Sequence, residues 1–291
     1  MIGIFWMVVT GLCFVAVTAL VKFLGDEMPA AQSAFLRYLL GLVFLLPMLP
    51  ALRALRLTRK ALGFFTLRGL VHALGVALWF YAMTRIPLAE VTAMNYLAPV
   101  YVTIGAALFL GERLAARRLL AVLGAFLGAL IILRPGLREI SDGHIAMLGT
   151  AMLFAASYLM AKRMSGQVSA SVVVGMLSIT VTIFLAPLAW AVWVPPTASQ
   201  IFWLFWVAAF ATGGHFAMTL AFAAAPVTVT QPVTFLQLVW AVALGAVFFA
   251  EPLDVFVILG GGVIMAAVVF ITLREAALRR QRQREIAAPG P

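Results

Sequence analysis

Residues that could do chemistry are few in this 291-residue chain, and they stand in apolar surroundings. Arg37 falls about seven residues into an apolar run, roughly 10 Å deep if the run is helical and starts at a membrane face. A charge at that depth is costly and faces a cavity or a partner. Lys22 closes the first apolar run, and Glu90 opens a later one. A Lys22/Arg37/Glu90 cluster would bind a substrate carboxylate or act as a gate. Its plainer role is an ion pair fixing helix packing, with Lys22 reaching for the headgroups. Glu90 is the one carboxylate expected within the membrane, which makes it the candidate for proton coupling.

His72 and His215 can each bond a substrate or carry a proton, or simply pack against a carbonyl. Asn95, Tyr96 and Tyr101 surround Pro99, while Gln231, Thr234, Gln237 and Trp240 follow Pro226. A proline frees the carbonyl four residues before it, here Asn95 before Pro99 and Thr228 before Pro232. Kinked helices with free carbonyls commonly line transport sites. Trp79, Tyr81, Ser157 and Tyr158 complete the candidate substrate-binding set, whereas Trp6, Trp190 and Trp193 suit the interfacial belt. No Walker loop, nucleophile with a nearby base, or histidine–carboxylate cluster occurs, so no catalytic residue, metal or cofactor is expected. The single Cys13 excludes an intramolecular disulfide and reads as a small buried side chain.

The elements that must position these residues are membrane helices. The chain is 65% hydrophobic and 10% charged, against about 25% charged in ordinary soluble domains. No Asp, Glu, Lys or Arg occurs from Met164 to Ala250, a stretch that demands several spans. The run Met1–Val21 lacks a basic start and reads as the first span rather than a signal peptide. Ten helices are predicted: 2–23, 30–52, 62–84, 87–110, 115–133, 142–162, 169–193, 199–224, 226–249 and 252–273. The net charge of +10 does not indicate nucleic acid, because the basic residues flank apolar spans.

With the N-terminus cytoplasmic, fifteen Lys and Arg, Arg68 among them, fall on the cytoplasmic side and four on the other. The imbalance puts both termini inside a cell inner membrane. The tail 275–291 is basic and cytoplasmic; its first part can continue the last helix along the membrane surface, where Arg meets anionic lipid, and the plainer, preferred reading is a solvated, partly disordered end.

The chain also repeats itself. Phe109-Leu110-Gly111-Glu112-Arg113-Leu114 has a partner in Phe248-Phe249-Ala250-Glu251-Pro252-Leu253, 139 residues later. At that offset Pro87 meets Pro226, Gly75 meets Gly214, and Tyr101 meets Trp240, which would face each other. At an offset of 140, Thr10 meets Thr150, Lys22 meets Lys162, and Pro47 meets Pro187. Units 1–138 and 139–274 each hold five helices, an odd number, so the second enters the membrane inverted. The predicted fold is all-α, ten transmembrane helices in two inverted five-helix repeats. Glu112 and Glu251 read as caps or loop anchors at helix ends. Gly124, Gly128 and Gly260-Gly261-Gly262 read as close-packing faces, and Gly213-Gly214 as packing or a hinge.

Pro87-Leu88-Ala89-Glu90-Val91-Thr92-Ala93, Tyr96-Leu97-Ala98-Pro99 and Leu108-Phe109-Leu110-Gly111-Glu112-Arg113-Leu114 resemble the EamA family of the drug/metabolite transporter superfamily. So do the Arg37–Pro47 helix and the echo Phe249-Ala250-Glu251-Pro252-Leu253. The resemblance covers about Gly3 to Leu273. It implies a secondary transporter of a small organic metabolite, amino-acid-like or amphipathic, working by alternating access and slightly favoured as an exporter. The alternatives are a passive channel, an uptake carrier for a vitamin or nucleoside-derived metabolite, and a non-transporting membrane enzyme or assembly factor. The expected partners are the small-molecule substrate, the lipid bilayer, and protons or a counter-substrate, with a monomer or homodimer as the assembly.

Overall fold

A computed structural model describes residues 2–53, 58–110, 116–137, 139–164, 170–224, 233–234 and 236–287. In these residues the chain is helical, with no strand. The helices are α1 (Ile2–Leu24), α2 (Ala30–Gly41), α3 (Leu49–Arg53), α4 (Arg59–Met83), α5 (Leu88–Asn95) and α6 (Leu97–Leu110). They continue with α7 (Ala116–Leu133), α8 (Asp142–Met164), α9 (Ala170–Ala191), α10 (Ala198–Ala224), α11 (Leu236–Phe249) and α12 (Val255–Ala287). Among the described residues, seven stretches are long and apolar enough to cross a membrane, and two shorter apolar helices, Leu119–Leu133 and Leu236–Phe249, accompany them. This is a multi-pass membrane protein.

Three departures from the predicted helices have local causes. The second helix changes to 3-10 geometry over Leu42–Met48, where Pro47 removes an amide donor from the ladder. The fourth breaks at Tyr96, between α5 and α6; Pro99 cannot bond the Asn95 carbonyl. The basic tail is not irregular from its start, since α12 runs on to Ala287. Its Arg, Gln, Ala and Leu residues favour helix, and no Gly or Pro interrupts them before Pro289.

The two halves interleave rather than sit side by side. α1 packs along α10 and α4 along α8, while α2 packs on α9 and α7 on α12. Each pairing joins a helix of the first half to one of the second. The pattern repeats at residue level: a Cβ on Gly75 would meet the Phe154 ring at 2.9 Å. A Cβ on Gly214 would meet Cys13 at 3.0 Å and the Phe14 ring at 3.6 Å. Gly75 and Gly214 are equivalents at offset 139, and Phe14 and Phe154 at offset 140. Gly214 is therefore a packing position, while Gly213 faces open space. One hydrophobic core runs through both halves. Cys13 is half-buried against this seam.

α7 and α12 cross at close range. A Cβ on Gly128 would lie 2.6 Å from the Gly260 carbonyl, and one on Gly260 2.5 Å from that of Gly128. Gly124 and Gly262 have nothing within 4 Å, so they are not part of it. Gly128→Val should force the helices apart and destabilise by about 3 kcal/mol or more, read as a lower melting temperature in detergent.

Ala250, just after α11, has φ 51°, a conformation that costs a non-glycine residue roughly 1 kcal/mol. Its equivalent in the first half is Gly111. Ala250→Gly should therefore raise stability by about 1 kcal/mol or less, because the glycine also loosens the unfolded chain. A melting curve checks this.

Candidate functional site

Arg68, His72, Gly75 and Trp79 recur at helical spacing on one face of α4. Arg68, buried at 5% exposure, donates from Nη1 to the Val173 carbonyl at 3.2 Å. Its Nε is buried without a partner. One turn on, His72 shares a 3.1 Å hydrogen bond between its Nδ1 and Ser157 Oγ. The same ring stacks on Phe154 at 4.8 Å. Trp79 meets Phe154 edge-on at 6.0 Å, and its Nε1 is buried and unpartnered. Gly75 lets α8 approach closely enough to bring Phe154 and Ser157 to this face.

Arg37 comes from α2, which packs on α4 and α10. It is 9% exposed, and its guanidinium lies over the Tyr38 ring at 4.0 Å from the centroid. The charges of Arg37 and Arg68 both reach His72, and that of Arg37 reaches His215. Arg68 is in electrostatic reach of Tyr38 and Tyr158. His215 also contacts Phe14 of α1 edge-on at 5.0 Å. Tyr158 is 44% exposed and His215 is exposed, although both belong to this interior group. Accessible space therefore reaches the junction of α1, α2, α4, α8 and α10.

Arg68 was expected on the cytoplasmic side. It is instead nine residues into α4, within a candidate span. Its spacing with His72 and Trp79 was the signal in the sequence.

The contacts described for Lys22, Arg37 and Glu90 are with different partners. Lys22 pairs with Glu251 and donates to the Ile86 carbonyl at 2.9 Å. Glu251 accepts the Leu88 amide on both oxygens, at 3.2 and 3.0 Å. It thus caps α5, across the molecule, rather than the helix that follows it. That helix, α12, is capped by Asp254, which accepts the Phe256 amide at 2.9 Å and also pairs with Arg134. The absence of a side chain at Gly245 makes room for the Glu251 carboxylate. Glu112 lies outside the described residues.

Glu90 is buried and bonded to His144, Oε2 to Nε2, at 2.5 Å. His144 stands three residues after Ser141, the residue preceding α8. The Ser141 amide, which can only donate, bonds Nδ1 at 3.1 Å, and Ser141 Oγ lies 2.8 Å from the same atom. Nδ1 therefore accepts, and Nε2 carries the hydrogen given to Glu90. The Ser-x-x-His spacing is a variant of the capping box. That spacing was legible in the sequence, and the pairing with a residue 54 positions away was not. The pair borders a cavity of about 350 Å³, also lined by Arg85, Glu139, Glu251 and Asp254.

The remaining candidates divide. Tyr96 donates to the Thr234 carbonyl at 2.9 Å, tying the α5/α6 break to the chain before α11. Asn95 Oδ1 is buried without a partner. Gln237 faces Gly11 of α1. Tyr81 carries the Arg85 guanidinium 3.6 Å from its ring centroid, so it belongs to the cavity end and not to the Arg68–Trp79 face. Tyr101 and Trp240 do not face each other: Tyr101 lies edge-on to Phe126 at 5.8 Å, and Trp240, 37% exposed, makes no ring contact among the described residues. The twofold relation equates their positions along the chain without bringing the rings together. Gln231 lies outside the described residues. Trp190 is 80% exposed, as a residue of the interfacial belt would be.

Apolar helices of the two halves thus interleave around a buried polar junction. The EamA-like transporter family model matches residues 1–134 and 141–273. The chain belongs to that family, within the drug/metabolite transporter superfamily. It is 29% identical over 290 residues to a riboflavin transporter of Vibrio cholerae, covering 98% of this chain and 97% of that one. It is 27% identical to the pseudopaline exporter CntI of Pseudomonas aeruginosa, covering 93% and 95%. It is 24% identical to an S-adenosylmethionine uptake transporter of Rickettsia prowazekii, covering 94% and 93%. A solved crystal structure matches with a TM-score of 0.59 at 16% identity, covering 95% of this chain and 97% of that one. That likeness concerns the fold.

Proposed function

We propose that this protein is a secondary transporter that exports a small organic metabolite, amino-acid-like or amphipathic, by alternating access. Ten spans would form two inverted repeats, 1–138 and 139–274, in an inner membrane with both termini cytoplasmic. The observation that carries the reading is the symmetric interleaving of α1 with α10 and α4 with α8 around buried Arg37, Arg68 and His72. Such symmetry gives outward-open and inward-open arrangements similar energies, as alternating access requires. Arg37, His72, Trp79, Ser157, Tyr158 and His215 are the substrate-contacting set. Lys22 and Glu251 form a gate at one membrane face, and Glu90 with His144 is the place for a coupling proton. A counter-substrate is the other coupling mode.

A second reading, uptake of a vitamin or nucleoside-derived metabolite, draws support from a relative named as a riboflavin transporter and one named as an S-adenosylmethionine uptake transporter. Metabolite profiles of deletion and overexpressing cells separate the two. Export predicts a solute that builds up inside on deletion and outside on overexpression. Uptake predicts the reverse, and an unchanged profile contradicts both.

A further inference from the structure

We propose that Arg37 and Arg68 together form a binding site for an anionic group, a carboxylate or phosphate, on a ring-bearing substrate. The proposal rests on the transporter reading above and names the class of solute. Both side chains are buried, at 9% and 5% exposure. Arg remains charged at any working pH, so neither group can escape burial by losing its proton. Yet neither has a carboxylate within ion-pair distance among the described residues. Glu90 is bonded to His144, Glu251 to Lys22, and Asp254 to Arg134.

Among the described residues Arg37 contacts the Tyr38 ring, and Arg68 satisfies one amino group while its Nε stays unpartnered. The helices that carry them, α2 and α4, pack on one another. Two buried cations on adjoining helices are unfavourable in a low-dielectric interior unless an opposite charge joins them. The planar guanidinium fork matches carboxylate and phosphate oxygens in two-point contacts. Phe154 and Trp79 continue the same face beyond His72, with the Trp79 Nε1 still to be satisfied. A solute with a flat ring on that wall and an anion between the arginines answers each of these features.

The test uses purified full-length protein in nanodiscs and two matched probe pairs. Riboflavin is compared with flavin mononucleotide, and indole-3-acetamide with indole-3-acetate. The anionic member of at least one pair should bind tenfold or more tightly than its neutral partner. Arg37→Gln and Arg68→Gln should each remove that advantage, while the Lys variants keep part of it. Should a Gln variant fail to fold, the wild-type pairs and the Lys variants still decide. Equal binding within both pairs, no binding by either anionic probe, or an advantage that survives both Gln changes overturns the proposal. Repeating the titration in neutral lipid and in phosphatidylglycerol separates a soluble anion from a lipid headgroup. Loss of the advantage only in phosphatidylglycerol assigns the site to lipid and also overturns it. Counterflow of neutral riboflavin without anionic preference would leave the transporter standing and remove the anion site. Tight anion binding without counterflow of any probe would do the opposite.

Discussion

Arg37→Ala is expected to reduce transport by roughly a hundredfold or more, the effect of losing a charged contact worth about 3 kcal/mol in a desolvated site. The same variant should melt at or above the wild-type temperature. Among the described residues Arg37 holds no hydrogen bond or ion pair, and its aromatic contact is with Tyr38. Deleting an uncompensated buried cation relieves desolvation, so activity and stability should move in opposite directions. A purely structural arginine would lower both together. Transport at the wild-type rate, or a marked fall in melting temperature, would show that Arg37 serves packing.

Lys22→Met carries the second large effect. Lys22 and Glu251 are 18% and 10% exposed, and they join the end of α1 to the start of α5 and the turn before α12. Removing the lysine leaves a largely buried carboxylate without its cation, a loss of about 3–5 kcal/mol. The double change Lys22→Met with Glu251→Met should cost less than the sum of the single ones, since it removes both charges. If the pair is a gate, Lys22→Met should also speed labelling of a cysteine placed at Ala89, on the wall of the adjacent cavity. Additive single effects with unchanged labelling would mean that the pair is neither coupled nor a gate.

Much of this architecture was legible before any coordinates. Apolar run lengths located the helices, and the repeat offset paired Gly75 with Gly214 before their matching contacts with Phe154 and Phe14 could be seen. Pro99 marked the break at Tyr96 because proline chemistry is local. The ion pairs were not legible, for they join residues far apart in the chain. Lys22 meets a carboxylate from the far half and Glu90 meets His144 because helices interleave, and no local pattern encodes that partner choice. Arg68 reads as a flanking charge from its place near the start of a run, yet it is buried within α4. Helical spacing with His72 and Trp79 was the better guide, since the side chain's face outweighs its distance from the end.

The measurement that bears most directly on the central claim is counterflow in proteoliposomes. Vesicles holding the purified protein are loaded with a metabolite extract and exposed to isotopically labelled extract outside, and entry of label is followed by mass spectrometry. Alternating access predicts that at least one organic solute enters faster when its unlabelled form is inside, and that Arg37→Ala abolishes this acceleration. Entry at the same rate from loaded and empty vesicles, or no protein-dependent entry of any solute, would contradict it.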